Sequence, residues 1–178
     1  MIRIKLADSS DLKALGYLGN LLWPHHTAEE MAADFAETMA EPDSVFFLAA
    51  DGEAVGFAQC GLRRDYVEGT QTSPVGYLEG IFVKETHRGR GCARALLAAC
   101  KDWARKQGCR EFASDCELDN EMSLAFHLAT GFAEAGRIIC FTSKLCGGYH
   151  ETGHACTLGA RDAGGKRISV PGIGPGFC

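Results

Sequence analysis

Apolar residues recur along this chain with two periods, and the switches between them predict its elements. Residues 2 to 6 alternate as a short strand. Leu12, Leu15, Leu18 and Leu22 then fall at helical spacing, with Ser9 and Ser10 as candidate caps and Pro24 as the stop. Thr27 to Glu30 reads as a capping box ahead of Met31, Phe35 and Met39, which share one helical face, and Pro42 closes that helix. Residues 44 to 50 and 54 to 60 flank Asp51 and Gly52, a hairpin signal. Residues 63 to 76 are polar and read as a loop or flared strand end, and residues 77 to 83 return to strand. Ala93, Leu96, Leu97, Cys100, Trp103 and Ala104 form one helical stripe that ends at Gly108. Residues 109 to 116 read as another strand. Asp119 or Asn120 caps a helix running to Thr130, and residues 137 to 143 form a last β-rich strand.

The order is β-α-α-β-β-β-α-β-α-β. Adjacent hairpins followed by strand–helix crossovers predict a mixed α/β (α+β) fold, a mixed central sheet flanked by helices. From Cys146 onward the chain is rich in glycine and loses its period, so residues 1 to 145 read as the domain and 146 to 178 as an extension. The extension is expected to be dispensable for chemistry, and a chain ending at Leu145 is expected to stay active.

Composition narrows the partners. The 178 residues carry a net charge of -5, which argues against nonspecific nucleic-acid binding and suits a cationic partner. No apolar run is long enough to span a membrane and no secretory signal opens the chain, so a cytoplasmic protein without membrane association is expected. The nine cysteines are scattered and several sit in apolar periodic segments, so they read as buried reduced thiols. Cys146, His150, His154 and Cys156 have ligand chemistry, but their spacing fits no zinc pattern, and no metal is expected.

Arg88, Gly89, Arg90, Gly91, Cys92 and Ala93 separate a strand from a helix. A helix start leaves backbone N–H groups unpaired at the positive end of its dipole, and glycines let an anion approach them without a Cβ in the way. No Gly-Lys-Ser/Thr is present, and the dinucleotide spacing is wrong, so neither familiar nucleotide loop fits. A plain strand-to-helix turn is the alternative. Glu79 introduces a carboxylate into an apolar strand, on the face expected to carry Tyr77, Ile81 and Val83, where an incoming ammonium is one partner and a water-exposed or Arg-paired strand end the other reading. Asp115 ends a neighbouring strand. Glu117, Asp119 and Glu134 read first as surface charges that could extend the negative field.

Arg88-x-x-Gly91-x-Ala93, after Ile81, Phe82 and Val83 and before an amphipathic helix, resembles the pyrophosphate loop of the GNAT superfamily of acyl-CoA N-acetyltransferases. Asn120 and the helix ending Phe126-His127, with Gly131-Phe132 after it, match that family's later motif, and the resemblance covers residues 1 to 145. Trp23, the segment from Asp65-Tyr66 to Glu79-Gly80, and Phe112 to Asp115 with Leu118-Asp119-Asn120 resemble bacterial aminoglycoside 6'-N-acetyltransferases. The resemblance implies an acetyl-CoA cosubstrate held by Ile81, Phe82, Val83, the turn from Arg88 to Ala93, and Asn120. It implies an aminoglycoside site lined by Trp23, His26, Tyr66, Glu79 and Asp115, and relatives that are often homodimers. It also places a glutamate where this chain has Gly136, and a general-acid tyrosine where this chain has His127. His127 donates if protonated, and a neutral packed ring is the other reading.

Acetyl transfer needs a neutral amine. An amine near pKa ~10 facing a carboxylate near ~4 is mismatched by about 8 kcal/mol, so direct transfer of the proton is poor. Glu79 and Asp115 are expected to orient the amine and pass its proton through water. A backbone N–H near residues 81 to 83 could polarise the thioester carbonyl. Direct attack suffices, without a covalent cysteine, and Cys92 is expected to pack. The rival readings are a GNAT acting on a polyamine or protein N-terminus, and a non-catalytic acyl-CoA-binding module.

Overall fold

The computed structural model describes residues 2–143. Strand β1 (Arg3–Leu6) ends where Asp8 takes over the backbone: its carboxylate accepts the Ser10 N–H at 2.9 Å, and Asp11 returns to the Asp8 N–H at 3.1 Å. This reciprocal cap starts a short 3-10 turn that leads into helix α1 (Leu12–Leu22). Asp8, not Ser9 or Ser10, is therefore the cap, because a carboxylate reaches two donors where one hydroxyl reaches one.

Helix α2 (Ala28–Ala40) opens as its sequence predicts. Thr27 accepts the Glu30 N–H at 3.2 Å, and Glu30 accepts the Thr27 N–H at 2.8 Å. The backbone bond from Thr27, then its hydroxyl, holds the Glu30 carboxyl below the usual range. Its support for α2 is therefore present above the unfolded carboxylate pKa and is lost as pH falls through the lower folded value. Thr27→Ala is expected to cost about 1 kcal/mol and lower Tm by about 3 °C, measured by calorimetry.

Strands β2 (Ser44–Asp51) and β3 (Glu53–Arg63) turn at Gly52. Strand β4 (Val75–Val83), helix α3 (Cys92–Lys106), strand β5 (Phe112–Ser114) and helix α4 (Glu121–Ala129) follow. The sheet runs β1-β2-β3-β4-β5, antiparallel up to β4 and parallel between β4 and β5. Alternation along the strands divides the core. Val45 and Ala49 join Cys92, Leu96, Leu97 and Cys100 of α3, while Phe46, Leu48 and Phe57 join Leu15, Leu18, Met31 and Phe35 of α1 and α2.

One irregularity decides the site. In the β3–β4 ladder Gln59 faces Gly80, but Cys60 faces Leu78, so Glu79 is the extra residue of a bulge. The bulge turns the alternation over. Leu78, Ile81 and Val83 all pack with the α3 cluster, whereas Phe82 packs with α1 and α2. Glu79 thus shares a face with Tyr77 but not with Ile81 and Val83, contrary to the unbroken period of the sequence.

The two C-terminal strands also differ from expectation. Strand β5 is shorter than residues 109 to 116 because the Cys109 N–H closes the end of α3 on the Ala104 carbonyl at 3.0 Å. Residues 137 to 143 form no strand. They have no ladder partner among the described residues, and β-propensity alone does not make a strand. Arg137 instead pairs with Glu134 at 2.7 Å. The glycine-rich extension, with Cys146, His150, His154 and Cys156, lies outside the described residues. Among the described residues no helix is long and apolar enough to cross a membrane, and no cluster of ligating side chains could hold a metal ion.

Candidate active site

Strands β4 and β5 part company at the site. Their parallel ladder joins only Gly76, Tyr77 and Leu78 to Phe112, Ala113 and Ser114. Beyond Leu78, β4 runs on to Val83 with β3 on one side and, among the described residues, no strand on the other. The split leaves that edge of β4, around Ile81, Phe82 and Val83, without a strand partner among the described residues, where a backbone N–H could polarise a carbonyl.

The glycine turn stands at the far end of β4. Gly89 and Gly91 have φ of 72° and 82°, and a Cβ at either would meet nothing within 4 Å. The first backbone bond of α3 runs from the Ala95 N–H to the Gly91 carbonyl at 3.0 Å. The N–H groups of residues 89 to 94 find no acceptor among the described residues. That is the anion-ready helix start the sequence predicts. The arginines are partly engaged: Arg88 Nε donates to the Val83 carbonyl at 3.1 Å, and Arg90 pairs with Asp51 at 3.1 Å. The Cys92 thiol is buried and points to the His87 carbonyl at 3.4 Å, a packing role. Ala93 is half-buried beside the α3 core cluster. The Asn120 carbonyl oxygen accepts the Ser123 N–H at 2.9 Å, capping α4.

At the β4–β5 junction lies a cavity of about 670 Å³, lined in part by Arg63, Tyr66, Tyr77, Asp115 and His127. Glu79 meets it through Arg63, whose Nε and Nη2 donate to its two oxygens at 3.1 and 2.8 Å. The Arg63 guanidinium carbon lies 3.3 Å from the Tyr77 ring centroid. Burial pulls the Arg63 guanidinium down, but the Glu79 bond and charge, with Tyr77 and Asp115, outweigh it and leave it raised. Burial, then the neighbouring Asp115 carboxylate, pushes the Tyr77 phenol up to about 12, so it stays neutral. Glu79, Arg63, Tyr77 and Asp115 therefore form one polar cluster.

Tyr66 is exposed, and its hydroxyl donates to Glu68 at 2.8 Å. A Cβ on Gly136 would lie 3.9 Å from a Glu68 oxygen, so a carboxylate stands beside the position where the resemblance places another. Glu117 and Glu134 also reach the cavity wall. Trp23 is half-buried beneath Gly80, where a Cβ would come within 2.6 Å of its ring, so its indole abuts the strand next to Glu79. His26 is exposed and outside the cavity wall, its carbonyl accepting from the Asn20 side chain. His127 Nδ1 lies 2.7 Å from the Ser123 carbonyl, so Nδ1 carries the proton. Its Nε2 is buried without a partner among the described residues, and the ring stands edge-on to Phe132 at 5.0 Å. Donation from Nε2 requires the imidazolium.

Three contributors are not singled out by the sequence. Arg63 and Tyr77 become visible only once the β3–β4 register is known. Glu111 accepts the Gln71 and Thr72 N–H groups at 2.9 and 2.7 Å and so ties the loop bearing Tyr66 to the start of β5. No local spacing connects residues that far apart.

The family model described as Acetyltransferase (GNAT) family matches residues 15–132. An aminoglycoside N(6')-acetyltransferase type 1 of Stenotrophomonas maltophilia is 43% identical over 144 residues, spanning 80% of this chain and 93% of that protein. One of the same description from Salmonella enteritidis is 45% identical over 144 residues, spanning 80% of this chain and 99% of that protein. The solved structure of AAC(6')-Iy in complex with the bisubstrate analog CoA-S-monomethyl-acetylneamine gives a TM-score of 0.77 at 39% identity, covering 82% of this chain and 99% of that one.

Proposed function

This chain belongs to the acetyltransferase (GNAT) family, and on that premise we propose that it is an aminoglycoside 6'-N-acetyltransferase, with acetyl-CoA as cosubstrate. It transfers the acetyl group to the 6'-amine of an aminoglycoside by direct attack and so confers resistance. The identity to aminoglycoside 6'-acetyltransferases over most of both chains supports the reaction. The observation that carries the acceptor site is that Glu79, through Arg63, joins Asp115 at a cavity beside the β4–β5 split whose wall holds four carboxylates against three cationic side chains.

The turn fits the cosubstrate. Gly89 and Gly91 leave open space, and the following N–H groups lack acceptors among the described residues, as a pyrophosphate requires. Arg88 and Arg90 supply positive charge, and residues 81 to 83 flank the path toward the cavity. When bound, acetyl-CoA supplies the activated acetyl group.

The chain's own residues handle the acceptor. A polycation is drawn to Asp115, Glu68, Glu117 and Glu134. Tyr66, exposed on the cavity wall, offers a flat face for a sugar ring, whereas Trp23 packs under Gly80 against Phe35 and Phe57 and backs the strand that carries Glu79. Glu79 and Asp115 orient the amine, and its proton leaves through water, since direct transfer to a carboxylate is uphill. His127, as imidazolium, is the candidate donor to the departing thiolate. The free thiols of Cys60, Cys92, Cys100 and Cys109 are buried, as the sequence predicts, whereas Cys116 and Cys140 are exposed, and free thiols at both depths support a reducing, cytoplasmic setting.

Thiol release from acetyl-CoA with kanamycin, spermidine and a peptide as acceptors tests the reading. Release with kanamycin alone is expected. Release only with spermidine or peptide moves the acceptor class, and release with none removes the enzyme.

A further inference from the structure

Building on that acceptor reading, we infer that Arg63 is a positioning residue that keeps the acceptor amine neutral, and so nucleophilic, at Glu79. Both Glu79 oxygens already accept from Arg63, and the guanidinium is also held against the Tyr77 ring. Arg63 lines the cavity, so its charge lies where the amine must arrive.

A bare carboxylate would work against acyl transfer. An ammonium beside an unopposed negative charge gains attraction and holds its proton more tightly. Paired with Arg63, Glu79 exerts little net field. Each of its oxygens still has a lone pair free to accept an N–H. A neutral amine is therefore aimed by Glu79, while an ammonium at the same place meets a neighbouring guanidinium.

The surrounding charges fit this role. Asp115 acts on Arg63 from the end of β5, leaving one net negative charge in the cluster, enough to draw a polycation in. Tyr77 contributes a neutral phenol from β4. Asp43, beyond Gly61, is occupied by Arg64 at 3.1 Å. Just past the end of α1 the neighbour is Trp23 against Gly80, which brings no charge.

The test is the pH dependence of kcat and KM for kanamycin, at saturating acetyl-CoA, in wild type, Arg63→Gln and Arg63→Lys. In Arg63→Gln the KM for kanamycin is expected to fall, because the ammonium form binds better. Its kcat at pH 7 is expected to fall about tenfold, with the rising limb moved about one pH unit upward. Arg63→Lys keeps the charge, and its limb is expected to stay near wild type. An acceptor with a less basic reacting amine is expected to restore kcat in Arg63→Gln, which damage to packing would not allow. An unmoved limb, a KM that rises as kcat falls, or no recovery with the less basic acceptor overturns the inference. Wild type alone provides a check if Arg63→Gln does not fold: the rising limb of kcat is expected to lie no higher than the pKa of the acceptor's amine free in solution, and a limb above it, as an unopposed carboxylate would give, overturns the inference. A wild-type chain that acetylates no aminoglycoside overturns the acceptor reading instead.

Discussion

Glu79→Gln is expected to lower kcat/KM for kanamycin about a hundredfold while leaving acetyl-CoA binding near normal. The amide keeps the shape of the bulged residue and removes its charge. Hydrogen bonds to charged groups contribute about 1.5–3 kcal/mol, and two from Arg63 weaken at once. Arg63 then stands unopposed on the cavity wall and repels the acceptor's ammonium groups. The fold should survive, since Glu79 and Arg63 side chains are 30% and 44% exposed and water can replace the lost partner. Asp115→Asn is expected to act in the same direction with a smaller loss, because Asp115 acts on Arg63 and Tyr77 by its charge and makes no bond to Glu79. Steady-state kinetics with each substrate varied in turn separates the two sites. Wild-type turnover in both variants would put the acceptor site elsewhere.

Gly91→Val is expected to raise the KM for acetyl-CoA by tenfold or more, with a parallel loss of CoA affinity by titration calorimetry. Two effects add. Gly91 has a φ of 82°, in the left-handed region, where a side-chained residue costs roughly 1–2 kcal/mol and a β-branched one fits worst. The space its Cβ would fill is free of protein atoms, so bulk placed there meets the incoming pyrophosphate. Gly108→Val is the control. Gly108 has a φ of 87°, also in open space, but at the other end of α3. It is expected to lower Tm while the acetyl-CoA KM stays unchanged. Equal effects of the two substitutions on KM would mean that strain in α3, not the pyrophosphate turn, controls binding.

Local pattern made much of this protein legible. The capping box at Thr27, the hairpin around Gly52, the stripe of α3 and the glycine turn before it all lie where residues close in sequence predict them. Each depends on contacts within a few positions, or on one backbone dihedral. The site was only half legible. Glu79 and Asp115 stand out as carboxylates in or beside strands, while Tyr66 enters only through the family resemblance, and the surroundings of all three do not show.

What the sequence determined by itself is the set of elements up to α4, the open glycine turn and the carboxylates in or beside strands, because periodicity, caps and glycine dihedrals act over short range. What only the tertiary structure decided is how those carboxylates are held. The bulge at Glu79 reverses the faces of β4, Arg63 arrives from the neighbouring strand to bind it, and Glu111, just before β5 and far along the chain, pins the Tyr66 loop. Residues 137 to 143 show the same limit, since their β-rich pattern yields no strand without a paired edge. Register and pairing are set by the whole sheet, and a single extra residue there changes which side chain meets which, with no trace in the local pattern.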